Sequence, residues 1–268
     1  MKYKTKIYAV ILFLIFHINL IAQNDILISK INYTLSDTTI ANDYFDLGRA
    51  LANQSKNDSS NIYFQKSINI YEDLTNQYDQ ERLWLKYIQA LNYLGYNLCY
   101  LAKFEDSMFY LSKAKELCFE KLGEDNNTAA QIYQSHGIYY DFMGDFVQSL
   151  EMFQKALGIR NNLFGENHSD VADTYNSIGT IYAKRSNLEM ALEYFLKSLE
   201  IKIDVLGEEH SHTAVAYNNI GIIYADRGDY GKALEYYQKS LMIRLNVLGE
   251  QNYLTASSYN NIGNLFYN

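Results

Sequence analysis

The sequence contains no proline in its 268 residues, and it has fewer basic residues than acidic ones. Without proline the chain has no Pro-rich linker, and unbroken helices are favoured because every residue keeps its backbone N–H. Lysine and arginine together number 23 against 31 acidic residues, which gives a net charge of −8. Phosphate contacts need clustered Lys and Arg, so this balance excludes nucleic acid from the expected partners. The hydrophobic content of 48% is typical of a folded chain.

The first residues follow a pattern of their own. Three lysines precede an almost wholly apolar stretch from Ile7 to Phe16, and Ala22 closes the segment. This order predicts a secretory signal peptide, residues 1–22, and an exported protein that is periplasmic or extracellular. The alternative is an uncleaved anchor in the inner membrane, although His17 and Asn19 interrupt the apolar run before it reaches the roughly 20 residues that span a bilayer. Cleavage would remove three lysines and no acidic residue, and the net charge would fall from −8 to −11.

Glycine falls in a strict register. Two series advance in steps of 42 residues, and an earlier glycine, Gly48, precedes the first of them by 47. Fixed periods of this size indicate stacked supersecondary units. We expect the five extra residues of the first interval around Tyr71 to Glu81. The two series are Gly95, Gly137, Gly179, Gly221 and Gly263, and Gly123, Gly165, Gly207 and Gly249.

Each unit contains two helical patterns, which predicts an all-α protein. Around the first glycine, apolar residues at −4, −1 and +3 share one face with it, so the glycine marks a place where two helices approach closely (helix A). A second stripe with i, i+4, i+7 spacing follows (helix B). Asp145, Asn187 and Asp229 are suited to cap helix B, and Gly207 and Gly249 suit the left-handed position after it.

The spacing of small and aromatic residues resembles the tetratricopeptide repeat. Small residues stand at +12 and +19 from the glycine and an aromatic residue at +16, as in Ala191, Ser198 and Phe195. The 42-residue length, the YNNIG phrase and the LGE loops are similar to the kinesin-light-chain type. The chain departs from that type at His168-Ser169, where the family usually has His-Pro. A signal peptide would also separate it from cytosolic motor-cargo transport.

The resemblance implies a right-handed superhelical solenoid of antiparallel helix pairs. After the signal peptide and a lead-in segment, residues 23–39, it would occupy residues 40–268 with five helix pairs and a sixth helix A. Its concave face would be lined mainly by the A helices. In similar repeat proteins, asparagines on that face hold the main chain of a bound peptide.

Carboxamides recur on the flank of helix A that faces away from the core. Each offers both a donor and an acceptor, as an extended peptide backbone requires. The alternative is that asparagine is simply frequent in this chain and is copied with each repeat. The candidates at three and two residues before the glycine are Asn92, Gln134, Asn176, Asn218 and Asn260, and Asn219 and Asn261.

Apolar anchors are also required for peptide binding. Each hydrogen bond contributes about 0.5–1.5 kcal/mol net, whereas association costs roughly 4–15 kcal/mol, so five amides cannot hold a peptide unaided. The anchor candidates, one and five residues after the glycine, are Tyr96, Ile138, Ile222 and Phe142.

Catalytic and metal-binding signals are absent from the sequence. Equivalent histidines such as His168 and His210 should lie at least a helix-packing distance of about 8–10 Å apart, too far to share one ion, and we interpret them as loop residues. Cys99 and Cys118 should lie beyond the ~7 Å reach of a disulfide, which predicts two free thiols. Neither a phosphate-binding loop nor a nucleophile elbow is present. We therefore predict a non-enzymatic protein without cofactor or metal.

Two functional hypotheses follow. The first is a protein–protein interaction scaffold that binds an extended peptide or a partner protein on its concave face. The second is the amino-terminal sensory or recruiting region of a longer signalling protein, such as a histidine kinase or transcriptional regulator, or of a caspase-like protease. In either case membrane contact would come only from an uncleaved signal segment or from a part beyond residue 268.

Overall fold

A computed structural model of the chain describes residues 37–266, which form eleven α-helices and no strand. The predicted signal peptide and all but the last residues of the lead-in segment lie outside this part. None of the described helices combines the length and hydrophobicity needed to cross a bilayer. The helices are α1 (Asp37–Ala52), α2 (Asn57–Gln77), α3 (Glu81–Tyr100), α4 (Phe104–Lys121), α5 (Asn127–Phe142), α6 (Phe146–Phe164), α7 (Ser169–Lys184), α8 (Leu188–Leu206), α9 (Ser211–Asp226), α10 (Tyr230–Leu248) and α11 (Tyr253–Leu265).

The helices stack in sequence, as the repeat predicts. Each packs against the helix before it and the helix after it, and α3 also packs against α5. Odd-numbered helices are the A helices and even-numbered ones the B helices, so α1 to α10 form five pairs and α11 is a sixth A helix. The all-α solenoid expected from the sequence is confirmed.

The unit glycines lie where the helices of a pair approach most closely. A methyl group added to Gly137 would stand 2.6 Å from the ring of Phe153, and one added to Gly221 would stand 2.6 Å from the ring of Tyr237. Gly48, Gly95 and Gly179 meet the residue sixteen positions later in the same way. The inference that these glycines permit close helix packing is confirmed.

In the first three pairs, a serine hydroxyl reinforces that contact. Ser60, Ser107 and Ser149 each donate a hydrogen bond of 2.8 Å to the carbonyl oxygen of their unit glycine, twelve residues earlier. The fourth and fifth pairs have Ala191 and Ala233 at this position and pack without the bond. The small residue is therefore needed for close approach, and the hydroxyl is an addition to it.

Side chains cap most of the helices. Asp145, Asn187 and Asp229 accept hydrogen bonds from the backbone N–H groups of the first turns of α6, α8 and α10, as predicted. His168 and His210 cap α7 and α9 through Nδ1, which accepts from the backbone two residues later. These histidines are thus loop residues with a structural task that the sequence did not indicate.

The glycines after the B helices adopt a conformation other than the expected one. Gly207 has φ 92° and ψ 157°, and Gly249 has φ 82° and ψ 169°. The positive φ agrees with the prediction, but the ψ values lie far from the left-handed helical region. They fall in a region that is essentially restricted to glycine. The requirement for glycine is therefore stricter here than at an ordinary left-handed cap.

The five extra residues of the first interval lengthen helices rather than a loop. The B helix α2 has 21 residues against 19 in α6, α8 and α10. The A helix α3 has 20 against 16 in α1, α5, α7 and α9. Only residues 78–80 separate α2 from α3.

Candidate functional site

The row of A helices curves inward. Arg49 on α1, Tyr96 on α3 and Tyr253 on α11 line one cavity of about 350 Å³, although they belong to the first, second and last A helices. Such a shared cavity requires the two ends of the row to face each other. We use the term A-helix face for the surface formed by the side chains three and two residues before, and one and five residues after, each unit glycine.

Two pairs of carboxamides link neighbouring A helices on this face. Asn219 Nδ2 donates to Asn176 Oδ1 at 2.8 Å, and Asn261 Nδ2 donates to Asn218 Oδ1 at 2.9 Å. Both bonds join residues 43 positions apart, one more than the repeat period. The remaining Nδ2 and Oδ1 groups of these pairs make no hydrogen bond within residues 37–266. Each pair therefore leaves one donor and one acceptor with a defined orientation; Asn176, Asn219 and Asn261 are partly exposed, whereas Asn218 is buried.

The other predicted carboxamides have different surroundings. Asn92 is buried, and its Oδ1 has no hydrogen-bond partner among the described residues. Gln134 accepts a hydrogen bond through Oε1 from the guanidinium group of Arg160. Asn260 is exposed. An amide pair needs an asparagine two residues before the next glycine, and the second to fourth units have Tyr93, Ser135 and Ser177 there.

The amino-terminal part of the A-helix face is aromatic. The ring of Tyr100 lies 5.1 Å from that of Tyr96 and 5.1 Å from that of Phe142, so it joins two predicted anchors. Burial, and secondarily the neighbouring Tyr100, raises the pKa of the Tyr96 hydroxyl. Tyr96 therefore stays protonated. Phe142 is 44% exposed.

The two isoleucine candidates differ in accessibility. Ile138 is partly buried and packs against the core residues of α6 and α7. Ile222 is exposed on α9. Tyr96 and Phe142 thus meet through Tyr100, whereas Ile138 packs against the core and Ile222 lies on α9.

A series of buried cations recurs at the repeat period on the B helices α6, α8 and α10. Arg160 on α6 reaches the next A helix, where Nη1 bonds to the Asp170 carbonyl and the Thr174 hydroxyl. Arg244 on α10 repeats this geometry with the Leu254 carbonyl at 2.9 Å and the Ser258 hydroxyl at 2.8 Å. The sequence analysis did not identify these contacts.

The middle member of the series is a lysine. Lys202 on α8 is buried, and its ammonium group contacts Asp173 Oδ1 on α7 at 2.9 Å. The residue that corresponds to Thr174 and Ser258 is Ala216, which has no hydroxyl to accept a bond. The sequence contained a signal for this series, because Arg160, Lys202 and Arg244 are spaced by the repeat period. A hydroxyl residue lies fourteen positions after each arginine, whereas an alanine lies fourteen positions after the lysine.

The residues considered for other chemistry are dispersed. Within residues 37–266, no group of three or more His, Cys, Asp or Glu side chains is arranged to hold a metal ion. Cys99 and Cys118 are buried free thiols. Burial raises the pKa of both, that of Cys118 to about 11, so neither is a reactive thiolate at neutral pH.

Comparison with known families agrees with this architecture. The family model described as tetratricopeptide repeat matches residues 142–204, 170–246 and 212–267. This chain is a tetratricopeptide repeat protein. The helix pairs before residue 142 repeat the same glycine contacts. No curated protein matches this tetratricopeptide repeat protein in sequence.

Solved structures share its fold at low identity. BtubC (BKLC) from P. vanneervenii is 20% identical with a TM-score of 0.68, over 79% of this chain and 83% of that one. A putative kinesin light chain from Podosopora anserina, with nearly identical TPR-like repeats, is 11% identical with a TM-score of 0.57, over 79% and 97%. The apo form of RapI is 17% identical with a TM-score of 0.56, over 81% and 87%. At these identities the likeness concerns the fold alone.

Proposed function

We propose that this tetratricopeptide repeat protein is a non-catalytic interaction scaffold that binds an extended peptide segment of a partner protein on its A-helix face. The observation that carries the proposal is the two amide pairs, Asn176 with Asn219 and Asn218 with Asn261. Each pair holds its free donor and acceptor in a fixed orientation. A ligand would therefore not have to order these side chains on binding, which lowers the entropic cost of association.

The two parts of the A-helix face would contribute differently. The amide pairs would bond to the main chain of the peptide, which every sequence possesses. The aromatic residues Tyr96, Tyr100 and Phe142 would contact an apolar side chain and supply the burial that hydrogen bonds alone do not provide. Ile222, exposed on α9, offers a second apolar contact near the amides.

Peptides selected from a random display library against the full chain provide a probe for this proposal. We expect Asn176→Ala combined with Asn218→Ala to weaken binding of a selected peptide by about 5- to 100-fold, since each lost bond is worth about 0.5–1.5 kcal/mol. Fluorescence anisotropy of the labelled peptide measures the change. Methylating the backbone nitrogens of the same peptide should have a comparable effect.

A matched control removes two asparagines from the B helices. Asn162 and Asn246 are exposed and occupy equivalent positions on α6 and α10. Asn162→Ala combined with Asn246→Ala should leave the affinity unchanged. If the chain with Asn176→Ala and Asn218→Ala binds the peptide as tightly as the wild type, at equal thermal stability, main-chain recognition by the amides is ruled out. Loss of binding in the control variant would place the site on the outer surface instead.

A further inference from the structure

The cavity of about 350 Å³ lies among α1, α2, α3 and the first residue of α11. Its volume is at the lower end of the roughly 300–1,000 Å³ that is usual for small-molecule sites. Arg49 is the one charged residue that lines it within residues 37–266. Aromatic rings form most of the remaining wall, and flat apolar walls with a few polar groups are typical of such sites. The aromatic residues are Phe64, Tyr93, Tyr96, Tyr100 and Tyr253.

Arg49 is a cation without a counter-charge. Its guanidinium group lies 5.5 Å from the ring centroid of Tyr93 and 5.8 Å from that of Phe45, and these contacts hold the side chain in place. No carboxylate of residues 37–266 pairs with it, although the chain has a net charge of −8. A guanidinium group binds a carboxylate through two parallel hydrogen bonds. The cavity therefore presents a positioned cation to an anion that the described residues do not supply.

Two further polar groups of the cavity have unused hydrogen-bonding capacity. The Asn97 amide is held by bonds from Nδ2 to the Asn57 carbonyl at 3.1 Å and to Asn61 Oδ1 at 2.6 Å. Its own Oδ1 makes no hydrogen bond within residues 37–266. The hydroxyl groups of Tyr96 and Tyr100 lie 2.9 Å apart and share one hydrogen bond, so one of their two protons is left to donate. The cavity therefore offers a hydroxyl donor and an amide acceptor in addition to the cation.

The chemistry of the walls defines the ligand. Tyrosine rings favour a flat ring, which they can meet edge-on or stacked. One cation favours a single negative charge, because a second charge would find no counter-charge among the lining residues. We propose that the cavity binds a small aromatic monoanion, whose carboxylate pairs with Arg49 and whose ring packs against the tyrosine side chains. This site shares Tyr96 and Tyr100 with the proposed peptide site but does not use the amide pairs, so the two proposals can be tested separately.

Two matched probes, 2-naphthoate and its uncharged analogue 2-naphthamide, test the proposal by isothermal titration calorimetry of the full chain. We expect the naphthoate to bind about tenfold or more tightly than the amide, because hydrogen bonds to charged groups contribute more than neutral ones. Added salt should weaken binding of the naphthoate and leave that of the amide unchanged, because salt screens only the charged contact.

Arg49→Gln should remove this preference. The affinity for the naphthoate should fall about tenfold, while the affinity for the amide stays the same. Arg227→Gln is the matched control, because Arg227 is an exposed arginine directly after another A helix, α9, and its loss changes the net charge equally. The control should bind both probes like the wild type. Tyr253→Ala should weaken both probes about 2- to 10-fold, since a ring is lost from the cavity wall.

Three outcomes decide against the proposal. The first is that 2-naphthoate does not bind, and the second is that it binds equally to the wild type and to Arg49→Gln. The third concerns Asp25, the one carboxylate in residues 1–36. If Asp25→Asn tightens naphthoate binding, the amino-terminal segment supplies the anion and a separate ligand is not required. Asn176→Ala combined with Asn218→Ala should leave naphthoate binding unchanged, which distinguishes failure at this site from failure of the proposed peptide function.

Discussion

The first and last contacts between A helices use the same backbone geometry with opposite chemistry. Between α1 and α3, Phe45 and Tyr93 meet edge-on with ring centroids 5.4 Å apart. Between α9 and α11, the equivalent positions hold Asn218 and Asn261, which share a hydrogen bond. The repeat therefore fixes where two side chains meet and leaves their chemistry free to vary. One solenoid can thus place an aromatic contact and an amide contact at equivalent positions of its A helices.

The two halves also differ at one buried position of the B helices. At the position where the later pairs carry Arg160, Lys202 and Arg244, the first two pairs carry Tyr71 and Cys118. All five side chains are buried. The amino-terminal half has uncharged side chains at this position. The carboxy-terminal half has cations there, and each cation needs a hydrogen-bonding or ionic partner. Three changes test this difference, in decreasing order of expected effect.

The largest effect is expected at Lys202, whose side chain is 3% exposed and contacts one carboxylate, that of Asp173. Asp173→Ala would leave a buried ammonium group without a counter-charge and should lower the free energy of unfolding by about 3 kcal/mol. Urea denaturation measures the change. Adding Lys202→Met should restore most of the loss, because the position would then resemble the uncharged ones of the first two pairs.

Asp141→Ala is the control for this change. Asp141 pairs with Lys184, whose side chain is 45% exposed, so its loss should cost less than about 1 kcal/mol. If both alanine variants cost the same, the buried cations of the carboxy-terminal half do not depend on their partners, and the contrast between the halves fails.

The next largest loss of stability is expected at the unit glycine, which both halves contain. Gly95→Ala and Gly221→Ala would bring the new methyl group within 2.8 Å of Leu111 and 2.6 Å of Tyr237. Each should lower the free energy of unfolding by about 2 kcal/mol, because the helices must move apart. Thermal denaturation compares the two with Gly263→Ala, which has open space and should not be destabilised. If only one of Gly95→Ala and Gly221→Ala lowers the stability, the two halves pack their helix pairs differently.

The smallest expected effect is on the pH dependence of stability, and it concerns His136. The other units have Leu or Ile at this buried position, and the His136 ring donates a hydrogen bond from Nδ1 to the Ile132 carbonyl at 2.9 Å. Burial lowers the pKa of His136 below its ordinary 6.5. The neutral ring is therefore favoured by folding. Its contribution to stability is complete above about pH 6.5 and is lost as pH falls from there toward the lowered value.

His136→Ile should flatten the fall in stability between neutral and mildly acidic pH, as measured by denaturation at a series of pH values. The matched control is His168→Asn, because Asn252 already caps α11 at the equivalent position. The control should keep the wild-type slope. An unchanged slope in His136→Ile would mean that other groups cause the acid sensitivity.

The sequence was sufficient to predict the stacking, the close approach at each glycine and the caps at Asp145, Asn187 and Asp229. These features depend on short-range spacing within one unit, so the period reveals them directly. The sixth glycine, Gly263, follows the same pattern in sequence, but only the structure shows that no atom of residues 37–266 lies within 4 Å of a methyl group added there.

The contacts between units could not be predicted in the same way. Asn176 bonds to Asn219 rather than to Asn218, which is its equivalent in the next unit, because the helices are displaced by one residue. That displacement arises from the packing between neighbouring units and is not encoded in the period. The peptide-binding roles of Asn92, Gln134 and Asn260 stay predictions. A ligand of Asn92 would have to reach a buried side chain. A ligand of Gln134 would have to replace its hydrogen bond from Arg160.

The offset of 43 between paired residues, against a period of 42, has a geometric consequence. At both junctions the residue three before one unit glycine meets the residue two before the next, so the two partners are staggered by one residue, or about 1.5 Å along the helix axis. The stagger starts again from the same position at the next junction and does not accumulate along the stack. A peptide bound as proposed would therefore meet the free donor and the free acceptor of one amide pair on two different helices, at two different heights.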